Sequence, residues 1–293
     1  MKFKFWGVRG SIPVPGADTV RYGGNTTCIE VRTDNDELII LDAGSGIHAL
    51  TQRLLQQMPI DAHILITHTH WDHIHGLPFC SPIYIPGNKL TLYGGQDLKS
   101  GAGIDRTLKV QMNQSFFPIE EHELKADISY KTVKAGEKFT IGSATVTPVL
   151  LNHPVINFGY RIDCCDKSLF FTGDYEQPLN IYEPSDQEYL EFEQMIEASV
   201  DSLVRLIQDV DVLIMDSSFT DEEYQQKKNW GHGTYNAAIA LAKRAGAKKL
   251  FFTHHEPTRT DDALDEIYAE LLRNNPDMSC ELFLAKEGLE IVL

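Results

Sequence analysis

The sequence predicts an α/β fold whose strands are buried on both faces by helices, and three observations carry that prediction. Six short runs of β-branched, aliphatic or aromatic residues each end on a histidine or an aspartate. Helical patterns fill several of the intervals between them. With 293 residues and 42% hydrophobic content, the chain has apolar side chains enough for one large layered core or for two domains. The same apolar content excludes a disordered chain.

In chain order the runs are Leu38 to Leu41 before Asp42, His63 to Thr67 before His68, Thr145 to Asn152 before His153, Leu169 to Gly173 before Asp174, Val212 to Met215 before Asp216, and Leu250 to Thr253 before His254. Each is continuous rather than alternating, as expected of a strand covered on both faces. Open α/β sheets collect their sites at the carboxyl ends of strands, so six such ends would deliver His and Asp side chains to one rim. Between the runs, Ile47 to Met58 places Ile47, Leu50, Leu54 and Leu55 at near-helical spacing. Thr234 suits the N-cap of an Ala-rich helix to Ala245, with Gly246 as a left-handed stop. Asp261 is the expected cap of a helix from Asp262 to Arg273, which ends before Pro276. Two stretches break the rhythm and read as insertions. The one near 94–130 is Gly-rich and then aromatic, and the one near 176–208 is acidic and helical after Pro184. Met112, Phe116, Phe117, Pro118 and Ile119 are too apolar for a loop in water, so the first insertion is expected to form a lid or a subunit contact.

Charge narrows the partners. Lys and Arg number 26 against 42 Asp and Glu, a net charge of −16, so the overall field repels a long nucleic acid and any polyanion needs a local basic or metal site. Gly, Ser and Pro interrupt Met1 to Gly16 before an apolar stretch of signal length develops, and no run reaches the roughly 18 apolar residues of a membrane span. The expectation is a soluble protein with no membrane partner. Cys28, Cys80, Cys164, Cys165 and Cys280 are odd in number and lack CxxC spacing, which suits reduced thiols in the cytoplasm.

The most informative segment is Thr67-His68-Thr69-His70-Trp71-Asp72-His73-Ile74-His75-Gly76. With 11 His and 42 acidic residues in the chain, His-x-His-x-acid-His has about 0.002 expected chance occurrences, so coincidence explains it poorly. His68 and His70, two apart at a strand end, leave on one side, while the turn presents Asp72 and His73 to a neighbouring point. Imidazoles and a carboxylate suit zinc, and iron or manganese where oxygen ligands dominate. His75 lies outside the pattern and is expected to sit behind the ligands or in solvent.

This segment resembles the HxHxDH signature of the metallo-β-lactamase fold superfamily, and the resemblance covers nearly the whole chain. Leu41-Asp42-Ala43-Gly44 matches the first motif, His153 the third, Asp174 in Phe171-Thr172-Gly173-Asp174 the fourth and His254 in Leu250-Phe251-Phe252-Thr253-His254 the fifth. The resemblance implies one hydrolase domain over 1–293, an αββα sandwich of two mixed β-sheets flanked by helices. It also implies two divalent transition-metal ions per chain, Zn2+ first and Mn2+ or Fe as alternatives. One ion would take His68, His70 and His153, the second Asp72, His73 and His254, with Asp174 bridging; Asp42 would support the ligands. His255 competes with His254 for the fifth motif, and His254 follows the strand directly.

Asp174 stands where β-lactamases of this family carry Cys, as in relatives that hydrolyse phosphodiesters and thioesters. Trp230-Gly231-His232-Gly233-Thr234 and the later Thr253-His254-His255-Glu256-Pro257-Thr258-Arg259 resemble the tRNase Z and phosphoribosyl cyclic phosphodiesterase branch. That likeness implies attack by a metal-bound hydroxide, with Asp72 and His232 as the catalytic pair, His232 contacting the phosphate or protonating the leaving oxygen, and Arg259 either steadying a phosphate or forming a surface ion pair. Homodimers, common in that branch, are the expected state. The acidic, aromatic insertion with Glu120, Glu121 and Glu123 departs from the basic arm of tRNA-processing relatives. The expected substrate is therefore a small phosphodiester, cyclic nucleotides included, with glyoxalase II-type thioesterase and tRNA 3′-processing endonuclease as rivals.

Overall fold

The computed structural model describes residues 1–293 as two seven-stranded sheets with helices on their outer faces. The first sheet holds β1 (Lys2–Gly7), β2 (Cys28–Arg32), β3 (Leu38–Leu41), β4 (Asp61–Leu65), β5 (Lys89–Gly94) and β6 (Asp127–Thr132). The second holds β7 (Phe139–Ile141), β8 (Ala144–Leu151), β9 (Asn157–Cys164), β10 (Lys167–Phe171), β11 (Val212–Asp216), β12 (Lys249–Thr253) and β13 (Glu281–Leu284). The last strand, β14 (Glu290–Val292), returns to pair with β1, giving the orders β14-β1-β2-β3-β4-β5-β6 and β13-β12-β11-β10-β9-β8-β7.

Both sheets are mixed, and each parallel pair is joined by a long connection. Cys165 and Asp166 alone turn β9 into β10, with Cys165 at φ 55°, and that pair is antiparallel. The long excursion from β10 to β11 carries helix α4 (Tyr189–Leu206), and that pair is parallel. The helices expected from sequence are α1 (Gly46–Leu54), α6 (Tyr235–Ala245) and α7 (Asp261–Asn274), and a one-turn α5 (Asp221–Tyr224) precedes α6. Thr234 Oγ1 accepts from Ala237 N at 3.1 Å, and Gly246 closes α6 at φ 66°. For α7 the expected cap is corrected: Thr260 accepts from Ala263 N, while the Asp261 carboxylate turns inward to Arg21 N and Tyr22 N. Thr260 has the extended backbone that a capping oxygen needs, and Asp261 is already helical. The first helix also stops short of Met58, at Leu54, and runs on as a 3-10 turn over Leu55–Gln57.

Three apolar layers follow from this order. Phe3, Phe5, Val31, Ile39, Val146, Tyr160, Ile162 and Phe251 fill the space between the sheets. Leu38, Ile40, Ile47, Leu50, Ile64 and Leu92 pack the first sheet against its helices. Val200, Leu203, Leu213, Ala238, Ala242, Leu250 and Leu264 do the same for the second. The segment near 94–130 forms α3 (Asp105–Gln111) on the first sheet and then supplies its edge strand, β6. Within it Phe117 rests edge-on against Phe79 with ring centres 5.5 Å apart, while Phe116 is 79% exposed. All five cysteines are unpaired, and no helix is long and apolar enough to cross a membrane.

Candidate metal centre

Six strand ends meet at one edge of the sandwich and bring Asp42, His68, His153, Asp174, Asp216 and His254 together with the one-turn helix α2 (Trp71–Ile74) that follows β4. His68, His70, His153 and Asp174 form one group of potential ligand atoms, all within 4.8 Å of one another. Asp72, His73, Asp174 and His254 form a second with the same spread. Asp174 belongs to both. Its Oδ2 lies 3.4 Å from His68 Nε2, and its Oδ1 lies 3.1 Å from both His73 Nε2 and His254 Nε2. Asp72 Oδ2 stands 3.3 Å from His73 Nε2 and 3.1 Å from His254 Nε2. His153 Nε2 is 3.2 Å from His70 Nδ1.

The local chain is shaped to hold these rings. Asp42 and His254 take left-handed backbone angles, φ 58° and 59°, which cost a non-glycine residue roughly 1–2 kcal/mol each and persist where surrounding structure enforces them. Asp42 Oδ2 accepts from His73 Nδ1 at 2.7 Å and its Oδ1 from Thr67 N at 2.7 Å, fixing the His73 tautomer so that Nε2 faces the cluster. Ser218 Oγ, 3.0 Å from His254 Nδ1, does the same for His254. Gly10 lets the N-terminal loop cross close above: a Cβ there would come 2.2 Å from the His254 ring. One residue on, Ser11 N donates to Asp72 Oδ2 at 2.7 Å.

Electrostatics shows what this edge can hold. Asp42, Asp72, Asp174 and Asp216 are all buried, and every ion-pair partner within 4.0 Å of them is a histidine. Buried carboxylates cost several kcal/mol each unless a positive charge faces them. Burial alone would lower the His73 pKa, but Asp174, Asp72 and Asp42 outweigh it and raise it well above the usual histidine value. His68 Nε2, His73 Nε2 and Asp174 Oδ1 are buried with no hydrogen-bond partner, although they face one another. Lone pairs left over on converging nitrogens and oxygens are what a metal ion satisfies. The two clusters therefore fit a dinuclear metal site.

The remaining candidates separate cleanly. His255 points away from the clusters, with Nε2 donating to Ala285 O at 2.8 Å, and burial lowers its pKa to about 3. His75 folds back onto Trp71 O at 2.7 Å and joins neither cluster. Arg259 is held by both carboxylate oxygens of Glu223, at 2.9 and 2.7 Å. His232 Nδ1 sits 2.8 Å from Asp216 Oδ2, and its ring stacks on His254 with centres 4.7 Å apart. Burial pulls the His232 pKa down, but Asp216 and Asp174 outweigh it and push it up to about 9.

Two residues here were not assigned a role from sequence. Asp216 gave a signal, as an acid at the end of an apolar run, without showing its partner. Glu176 gave none. It is buried, and its carboxylate accepts from Gly231 N at 2.7 Å, Asn229 N at 2.8 Å and Tyr224 Oη at 2.6 Å. Gly231, at φ 89°, passes so near His153 that a Cβ would lie 2.5 Å from Nδ1, and its carbonyl accepts from that nitrogen at 3.0 Å. Glu176 thus pins the loop that orients His153 and carries His232. Glu176→Ala is expected to lower metal affinity or kcat/KM by roughly 10- to 100-fold, as loss of a ligand-orienting partner does, with Glu176→Gln intermediate. Chelator competition and steady-state kinetics check it, and values within twofold of wild type would leave Glu176 no positioning role.

Similarity to known proteins extends over most of the chain. The family model described as the beta-lactamase superfamily domain matches residues 38–255. Ribonuclease Z of Lactiplantibacillus plantarum is 27% identical over 263 residues, covering 78% of this chain and 80% of its own. Ribonuclease Z of Acaryochloris marina is 28% identical over 294 residues, covering 88% and 86%. The metallo-beta-lactamase fold protein YhfI from Bacillus subtilis superposes with a TM-score of 0.68 at 20% identity over 99% of both chains, a likeness of fold.

Proposed function

The chain belongs to the β-lactamase superfamily, and we propose that it is a dinuclear, zinc-dependent phosphodiesterase acting on small phosphodiesters, cyclic nucleotides among them. It is a metal-dependent hydrolase of phosphodiester bonds, in keeping with its Ribonuclease Z relatives and its paired clusters. The observation that carries the reading is Asp174, whose two oxygens face separate groups of imidazoles. One group offers three imidazoles and a carboxylate, the other two of each, donor sets that suit zinc and, at the oxygen-richer position, manganese or iron.

Two such ions, when bound, would activate a water and neutralise the phosphoryl oxygens. The chain's own side chains supply the rest. Asp42 and Ser218 hold His73 and His254 in one tautomer. Ser11 N donates to the Asp72 carboxylate and holds it within the second cluster. Asp216 occupies His232 Nδ1, leaving Nε2 to contact the phosphate or hand a proton to the departing oxygen. The catalytic pair in this reading is Asp72 and His232.

A small substrate is supported by the net charge of −16, which works against the counterion-release affinity on which polymer binding relies. A second reading, tRNA 3′ processing, is favoured by the Ribonuclease Z relatives at 27% and 28% identity. The test is kcat/KM on cyclic mononucleotides, bis(p-nitrophenyl) phosphate, a thioester and pre-tRNA at one salt concentration. The small diesters are expected to lead, and a preference for pre-tRNA of about tenfold or more, some 1.4 kcal/mol, would replace the first reading with the second.

A further inference from the structure

Beside the first cluster lies a cavity of about 440 Å³ whose wall includes His68, Thr69 and Trp71 from the metal-binding segment. Its volume falls in the roughly 300–1,000 Å³ range of small-molecule sites. The opposite wall is Ile104 and Val110 around α3 together with Ile156 from the loop after His153. Gln111 Nε2 donates to Ile74 O at 2.8 Å, which ties α3 to the metal-binding turn and makes this wall preformed. Lys99 and Arg106 stand at the rim, Arg106 also contacting Asp97 at 3.1 Å.

We propose that this cavity holds the nucleoside attached to the scissile phosphate, with its base against Trp71 and the aliphatic wall of Ile104, Val110 and Ile156. Three features select that occupant. Thr69 and Trp71, on either side of His70, and Pro154, next to His153, line the cavity, so a phosphate held at the first cluster lies beside it. Trp71 is 65% exposed, an aromatic face in water where a base can stack. Gln96, Thr107 and the rim cations put polar groups among the apolar ones, which suits a sugar and a base edge better than a hydrocarbon chain.

This assignment rests on the phosphodiesterase reading, and the two are tested separately. Binding of AMP and of methyl phosphate to the metal-loaded protein is measured by calorimetry, beside turnover of bis(p-nitrophenyl) phosphate. Wild type is expected to bind AMP about tenfold or more tightly than methyl phosphate, the scale of one base stacked on one ring. Val110→Trp, which fills the cavity from the half-exposed face of α3, should remove that preference and leave methyl phosphate within about twofold. Equal affinities in wild type, an unchanged AMP affinity in V110W, or equal weakening of both ligands would overturn the assignment. If V110W does not fold, Ile156→Trp fills the cavity from the other wall and is read in the same way. AMP selectivity without diester turnover would sink the phosphodiesterase reading and leave a nucleotide-binding cavity; turnover without selectivity would do the reverse.

Discussion

His68→Ala and Asp174→Ala are expected to lose bound metal and phosphodiester turnover together, from about two transition-metal ions per chain in the wild type. The two substitutions act differently. Removing His68 deletes one donor from one cluster and leaves Asp174 Oδ2 without its nearest imidazole, at 3.4 Å. Removing Asp174 takes a donor from both clusters, so the larger loss of metal is expected there. A stability signature accompanies it. Ions that bind only the folded chain stabilise it by mass action, about 2.7 kcal/mol at one hundred times Kd. They also answer the burial of Asp42, Asp72 and Asp174, whose ion-pair partners are all histidines. Chelation should therefore lower the Tm of the wild type by several degrees and that of Asp174→Ala much less. Elemental analysis and calorimetry read both effects. Wild-type activity in a metal-free preparation of either variant would refute the assignment of these residues.

The second large effect is expected at His232. His232→Ala should retain its metals, because His232 stands outside both the group of three His with Asp174 and that of Asp72, His73, His254 and Asp174, and in the further group it forms with Asp174, Asp216 and His254 its Nδ1 is taken by Asp216. It should lose phosphodiester turnover by roughly 10²- to 10⁴-fold, the range of a general acid or a transition-state phosphate contact. Asp216→Asn gives the complementary result. Asn keeps the shape but replaces the carboxylate that accepts from His232 Nδ1 at 2.8 Å, so the tautomer and the charge favouring the imidazolium are lost together. A leaving group that needs no proton, such as p-nitrophenolate, should suffer less in both variants than an alkoxide. That contrast distinguishes proton delivery from simple phosphate contact. Turnover within twofold of wild type in His232→Ala would return the residue to a structural part at the start of α6.

Much of the candidate metal centre was legible along the chain because its residues on one strand and the following turn are local in sequence. His68, His70, Asp72 and His73 lie within six residues, and the strand ending at Leu65 and the single turn of α2 fix their directions. His153, Asp174 and His254 were legible for another reason: each closes a buried run, and buried parallel strands end at a common rim. Periodicity found the helices α1, α6 and α7, but their ends were less secure. Thr260 caps α7 in place of Asp261 because the choice depends on backbone angles and on a competing contact with Arg21 N and Tyr22 N, 240 and 239 residues away in the chain. Edge strands such as β6, mostly exposed, carry no continuous apolar run and were not visible as strands.

By itself, then, the order of residues determined the class of fold, the residue types of the candidate ligands and the rim on which they gather, since hydrophobic runs and ligand spacing are properties of the chain. Contacts between distant segments were decided only by folding. Asp216 meets His232 because β11 and the loop before α6 lie side by side at that rim, and Glu176 reaches Gly231 across 55 positions of sequence. A left-handed turn at the end of β12 sends the His254 ring toward Asp174 and the His255 ring to Ala285. The cavity beside His68 has the same origin, since its walls come from residues 66 to 156 and no local pattern encodes the space between them. Propensity and burial pattern act over a few residues, whereas a hydrogen bond or a void depends on which surfaces the packed sheets bring within 3 or 4 Å, and that is a property of the whole fold.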